Sequence, residues 1–110
     1  MFERRALRAA GACVLWAAAG AGMALDAAAA THTVTIDGMQ FQPVTLAVKA
    51  GDKVVWVNKD VVAHTATAAG RFDSPSIAAG RQWTWKVTGR GRIDYVCTLH
   101  PGMKAALVVE

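Results

Sequence analysis

From Thr33 onward apolar and polar residues alternate with a period of two, and β-branched or aromatic side chains fill most apolar positions. Such alternation marks half-buried strands, and no stretch carries the repeat of an amphipathic helix. Strands are expected at roughly 32–37, 44–49, 53–58, 64–68, 81–87, 92–97 and 104–110. Turns follow from local chemistry. Ala50-Gly51-Asp52 closes one hairpin, Ala79-Gly80 opens a strand, and Thr88-Gly89-Arg90-Gly91 supplies two glycines for positive φ. About seven to eight short strands imply an all-β Greek-key sandwich or barrel. Trp83, Trp85 and Val87 share one strand face, expected inward, with Thr84 and Lys86 toward water. Trp56, Trp83 and Trp85 read as core aromatics whose indole N–H groups find partners. Ile93, Tyr95 and Cys97 alternate onto one face, which sets Tyr95 beside the thiol.

The first 30 residues do not share this pattern. They open on the basic stretch "MFERRALR", continue as an Ala/Gly-rich apolar run from Ala9 to Leu25, and end in "LDAAAA". That is the order of a secretory signal peptide, and the run is short and weakly apolar for a bilayer span. The chain is therefore expected to divide into a signal peptide at 1–30, cleaved after Ala29 or Ala30, and one domain at 31–110. The mature domain is expected in the periplasm, without stable membrane insertion. Arg4-Arg5 matches a twin-arginine export signal poorly, and Cys13 precedes most of the apolar run and reads as leader.

Composition narrows the chemistry. At 110 residues there is room for one domain, and the net charge of +4 comes from scattered basic residues that form no run. A nucleic-acid partner is not expected. Beyond the leader the chain has one cysteine, Cys97, so an internal disulfide is impossible. A lone thiol in an oxidising compartment invites oxidation unless something occupies it.

The stretch "VCTLHPGM" offers an occupant. Cys97, His100 and Met103 follow the spacing C-x2-H-x2-M, and a compact turn can aim all three side chains at one point. Thiolate and imidazole bind many metals, whereas a soft thioether suits copper far better than zinc, calcium or magnesium. His64, after "WVNKDVVA", is the natural further ligand. Two His, one Cys and a weak Met are the donor set of a blue-copper electron-transfer centre. A zinc site from Cys97, His64, His100 and water is the chemical rival. Covalent haem attachment is excluded, because C-x-x-C-H needs a second cysteine. His32 raises a separate expectation: with a terminus at Ala30, a free amine and a histidine at position three could hold Cu(II) in a square plane.

The segments "MQFQPVTLAVKAGDKVVWVNKDVVAHT" and "GRGRIDYVCTLHPGMKAALVVE" resemble the cupredoxins of the plastocyanin and amicyanin kind across essentially all of 32–110. The gap between His100 and Met103 resembles amicyanin, while the stretch from His64 to Cys97 looks more plastocyanin-like. The resemblance implies one type 1 copper ion, with His64, Cys97 and His100 as strong trigonal ligands and Met103 as the weak axial one. It further implies that Asn58 ties the two ligand loops together and that the Thr65 backbone N–H bonds the Cys97 sulfur. Leu99 stands where amicyanin-like loops often have proline, so its N–H is expected to give the thiolate a second hydrogen bond.

A monomeric one-electron carrier follows, docking transiently near His100 on a c-type cytochrome or a quinoprotein dehydrogenase. Val61, Val62, Ala63, Leu99 and Pro101, with Met39 nearby, would form its apolar patch, and Lys59, Lys104, Arg90 and Arg92 would flank it. Copper storage or delivery and a small copper enzyme are the other classes. Val96 before Cys97 removes the His-Cys-His link of multicopper oxidases.

Overall fold

The computed structural model describes residues 28–110, so the leader, Cys13 and the twin arginines lie outside the described residues. Nine strands follow in order: β1 (Thr31–Ile36), β2 (Phe41–Gln42), β3 (Thr45–Val48), β4 (Lys53–Asn58), β5 (Thr67–Ala68), β6 (Phe72–Asp73), β7 (Gln82–Lys86), β8 (Gly91–Cys97) and β9 (His100–Val109). They form two sheets, β2-β1-β4-β7 and β3-β9-β8-β5-β6, in which β1 with β4 and β3 with β9 run parallel. No described residue is helical. This is the all-β sandwich that the alternation anticipates.

Three expectations change. The strand expected at 64–68 shrinks to Thr67–Ala68, and His64 is held instead by an isolated bridge to Ile77. Two short strands, at Phe41–Gln42 and Phe72–Asp73, fall where two residues are too few to show a period. The last strand begins at His100 rather than at 104. The reversal between β8 and β9 therefore spends only Thr98 and Leu99, and the ligand segment lies mostly on strands rather than on a loop.

The core lies between the sheets. Trp56 is fully buried and meets Phe72, Trp83 and Tyr95 at ring-centroid distances of 5.2, 5.6 and 5.5 Å. Trp83 and Trp85 are only half-buried, and Thr84 and Lys86, which alternate with them, are exposed. Among the described residues the Trp56 Nε1 makes no hydrogen bond of ordinary geometry, against the expectation of a partner, although the Tyr95 ring stands edge-on beside it. Ile93, Tyr95 and Cys97 all point inward from β8.

At one end Asp52 gathers the start of the domain. Its carboxylate accepts from the Ala30 and Lys49 N–H groups at 3.0 Å each and meets His32 Nε2 at 2.8 Å. Gly51, at φ 95°, supplies the left-handed residue that this turn requires. His32 is thus committed to Asp52 and to the β1–β4 ladder, opposite Val54. Wrapping the segment round Cu(II) in a square plane would pull β1 out of the sheet.

Candidate metal centre

Strand geometry assembles the donors. Cys97 ends β8, His100 begins β9, and the two pair across the tight reversal with a register shift between Val96 and Cys97. His64 arrives from the opposite side, pinned by backbone hydrogen bonds of 3.1 and 2.7 Å to Ile77. The result places Cys97 Sγ 3.7 Å from His64 Nδ1 and 3.6 Å from His100 Nδ1, with all three donor atoms within 4.8 Å of one another. These separations are long for direct bonds but suit donors around one ion. An ion about 2.0 Å from nitrogen and about 2.3 Å from sulfur, at angles between tetrahedral and trigonal, sets N···S at roughly 3.5–3.7 Å. Met103 is buried in the same cluster as Cys97, three residues beyond His100 on β9. A buried thiol, two imidazoles and a buried thioether fit copper by their softness as well as by their spacing.

The other nitrogen of His64 fixes its tautomer. Nε2 lies 2.8 Å from Asp60 Oδ2, so this nitrogen carries the proton and Nδ1 turns a lone pair toward the sulfur. The same carboxylate accepts from the Gly38 and Met39 N–H groups at 2.7 and 3.0 Å. Those donors, Met39 first, hold the Asp60 carboxyl below its usual range, with His64 adding to the effect. Asp60 was not among the residues expected here; an aspartate four positions before a histidine in a loop carries no periodic signal.

The Thr65 N–H donates to Cys97 Sγ at 3.3 Å. The tie between the ligand segments is a threonine pair: Thr98 N–H donates to Thr65 Oγ1 at 2.8 Å, and the two hydroxyls meet at 3.0 Å. Asn58 does something else. Its Nδ2 donates to Val62 O and Ile77 O at 2.8 and 2.9 Å, and its Oδ1 accepts from Asp60 N–H at 2.9 Å. It shapes the loop that leads into His64 and makes no hydrogen bond to the Cys97–Met103 segment, so the expected bridge is corrected. Leu99 is corrected likewise. Among the described residues its N–H makes no hydrogen bond to the sulfur, and its side chain stands out from the reversal, half-exposed at 52%.

Comparison with known proteins agrees with this geometry. Residues 28–110 match the copper binding proteins of the plastocyanin/azurin family. Amicyanin-alpha of Methylorubrum extorquens is 34% identical over 100 residues, covering 84% of each chain. The structure of amicyanin from Paracoccus versutus superposes with a TM-score of 0.67 at 29% identity, covering 73% of this chain and 81% of that one. A Cu-containing nitrite reductase from Thermus scotoductus superposes at 0.68 with 28% identity, but this chain spans only 22% of that enzyme. With a His-Cys-His donor set inside a two-sheet sandwich, this chain belongs to the copper-binding plastocyanin/azurin family, and its metal is copper.

Proposed function

We propose that the protein is a periplasmic one-electron carrier, monomeric, that turns over no substrate and passes electrons between redox proteins. One observation carries this reading. His64 and Cys97 are fully buried and Met103 nearly so, while His100 keeps an accessible edge between exposed apolar residues. A substrate cannot reach donors sealed in this way; an electron can.

His64, Cys97 and His100 would hold the copper strongly and Met103 weakly. The bound ion supplies a Cu(II)/Cu(I) couple. The chain's own part is to keep the donors still. Cys97 and His100 sit on paired strands, His64 is fixed by Ile77 and Asp60, and Thr65 is hydrogen-bonded to both the sulfur and Thr98. Donors that cannot relax keep the rearrangement between oxidation states small.

Docking centres on the apolar rim. Val61 is 94% exposed, with Val62, Leu99 and Pro101 exposed beside it and Ala63 half-buried. Exposed valines on a loop are explained by a partner that covers them briefly, as a small transient interface does. Lys59 and Lys104 stand at this end. Arg90 and Arg92 do not flank the rim: Arg92 is five residues up β8 from Cys97, roughly 17 Å away at strand rise, and is paired with Asp94 at 2.9 Å. A c-type cytochrome or a quinoprotein dehydrogenase is the class of partner.

The test is the visible and electron-paramagnetic-resonance spectrum of the purified protein with Cu(II), repeated with Cys97→Ser. An intense blue thiolate-to-copper band with narrow hyperfine splitting, absent from the variant, is expected. A colourless product would sink the reading and favour zinc or copper delivery.

A further inference from the structure

The buried donors leave open how the metal reaches them. His64 and Cys97 are fully enclosed, and the exposed residues on either side of His100, Leu99 and Pro101, carry no group that can bind an ion in passing. A second approach exists. A cleft of about 150 Å³ runs from the surface to Met103, walled by Phe41, Val44, Gly102 and Lys104, and Met39 stands on its lip. Its inner end is lined by Met103, 5% exposed, whose thioether belongs to the copper site. The outer end is another thioether, 43% exposed.

Met39 is held there at a backbone cost. Asp37 and Gln40 close a two-residue reversal through N–H···O bonds of 3.0 and 3.3 Å, and the two central residues, Gly38 and Met39, have φ of 64° and 61°. Turns of this kind favour Gly, Asn or Asp at both positions, and methionine is none of these. The Asp60 carboxylate grips both N–H groups of the reversal and His64 as well, so the lip of the cleft is fastened to the ligand set. An exposed, strained methionine calls for a functional explanation more than an exposed methionine in a relaxed turn does.

Resting on the copper reading above, we propose that Met39 is the first donor of an entry and exit path for Cu(I), handing the ion along the cleft to Met103. Soft thioethers select Cu(I) over the hard cations and over zinc. They are neutral, so each exchange replaces one donor by another with copper remaining Cu(I) and no proton released. Only the final step, as sulfur binds, frees the Cys97 thiol proton to water. Lys104 on the same wall repels an unescorted cation and favours copper presented in an anionic complex.

The experiment follows Cu(I) in both directions. Reduced copper-loaded protein is mixed with excess bicinchoninate and release is timed; uptake is timed from the anionic Cu(I)–bicinchoninate complex into metal-free protein. Met39→Leu keeps the size and apolar character of the side chain and the same backbone, and lacks only the sulfur. Release and uptake are both expected to slow about tenfold, with their ratio little changed. A merely structural role for Met39 predicts the opposite for release, because a loosened site loses copper faster. Rates within about twofold of the parent, or faster release, overturn the proposal. A parent protein without the blue band overturns the copper reading itself, which separates the two failures.

Discussion

At the scale of the residue, the centre depends on side chains that never touch the metal. Asp60 decides which imidazole nitrogen of His64 is free, through a contact of 2.8 Å that is only partly open to solvent. Such outer partners of ligating histidines are worth about 10–100-fold in metal affinity. Asp60→Ala is therefore expected to weaken Cu(II) binding by that factor in a chelator competition, while leaving Cys97 and both histidines in place. Leu99 makes the contrasting case. Because its N–H gives nothing to the sulfur, Leu99→Pro is expected to move the reduction potential by less than about 60 mV, the tenfold equivalent for one electron. Voltammetry decides it, and a larger fall would restore the hydrogen bond expected from the sequence.

At the scale of the element, two polar ties hold loops that the strands alone would leave loose. Asn58, buried at the end of β4, satisfies the Val62 carbonyl and the Asp60 N–H of the segment that turns into His64, and the carbonyl of Ile77, which bridges to His64. Asn58→Ala strands those groups, and the copper-free protein is expected to lose about 2–3 kcal/mol in a denaturant titration. Thr65 and Thr98 join the His64 segment to the β8–β9 reversal. This bond is partly open to water, so Thr65→Ala is expected to cost about 1 kcal/mol.

At the scale of the molecule, the two ends of the sandwich do different work. One end carries the metal and the apolar rim. The other is fastened by Asp52, whose carboxyl is lowered from 3.8 to about 2, chiefly by His32 and then by the N–H groups of Ala30 and Lys49. A carboxyl depressed in the folded state stabilises fully above its unfolded value and loses that effect as pH falls toward the folded one. The stabilisation from Asp52 should thus be complete above about pH 4 and fade between about pH 4 and pH 2. Asp52→Asn is expected to flatten the fall in thermal midpoint across that window. An unchanged pH profile would show that the pair contributes nothing to stability.

Much of this protein is legible without coordinates. Alternation with a period of two identifies the strands because a sheet buries every second residue, and the inward set of Ile93, Tyr95 and Cys97 follows from counting. The spacing of Cys97, His100 and Met103 points to a soft metal because donor chemistry belongs to the residue, wherever the chain puts it. Of what pairs across distance, the bond from the Thr65 N–H to the Cys97 sulfur was implied by the family resemblance, and the rest was not legible. Nothing in the order of residues says that Thr98 reaches Thr65, that Asp60 turns back on Met39 as well as His64, that Asn58 serves Ile77, or that the last strand starts at His100. Sequence alone determined the fold class and the donors, since both are set by local period and side-chain chemistry. Tertiary structure alone decided which nitrogen faces the metal and which methionine borders the way in, because each of these is a contact between segments that only folding brings together.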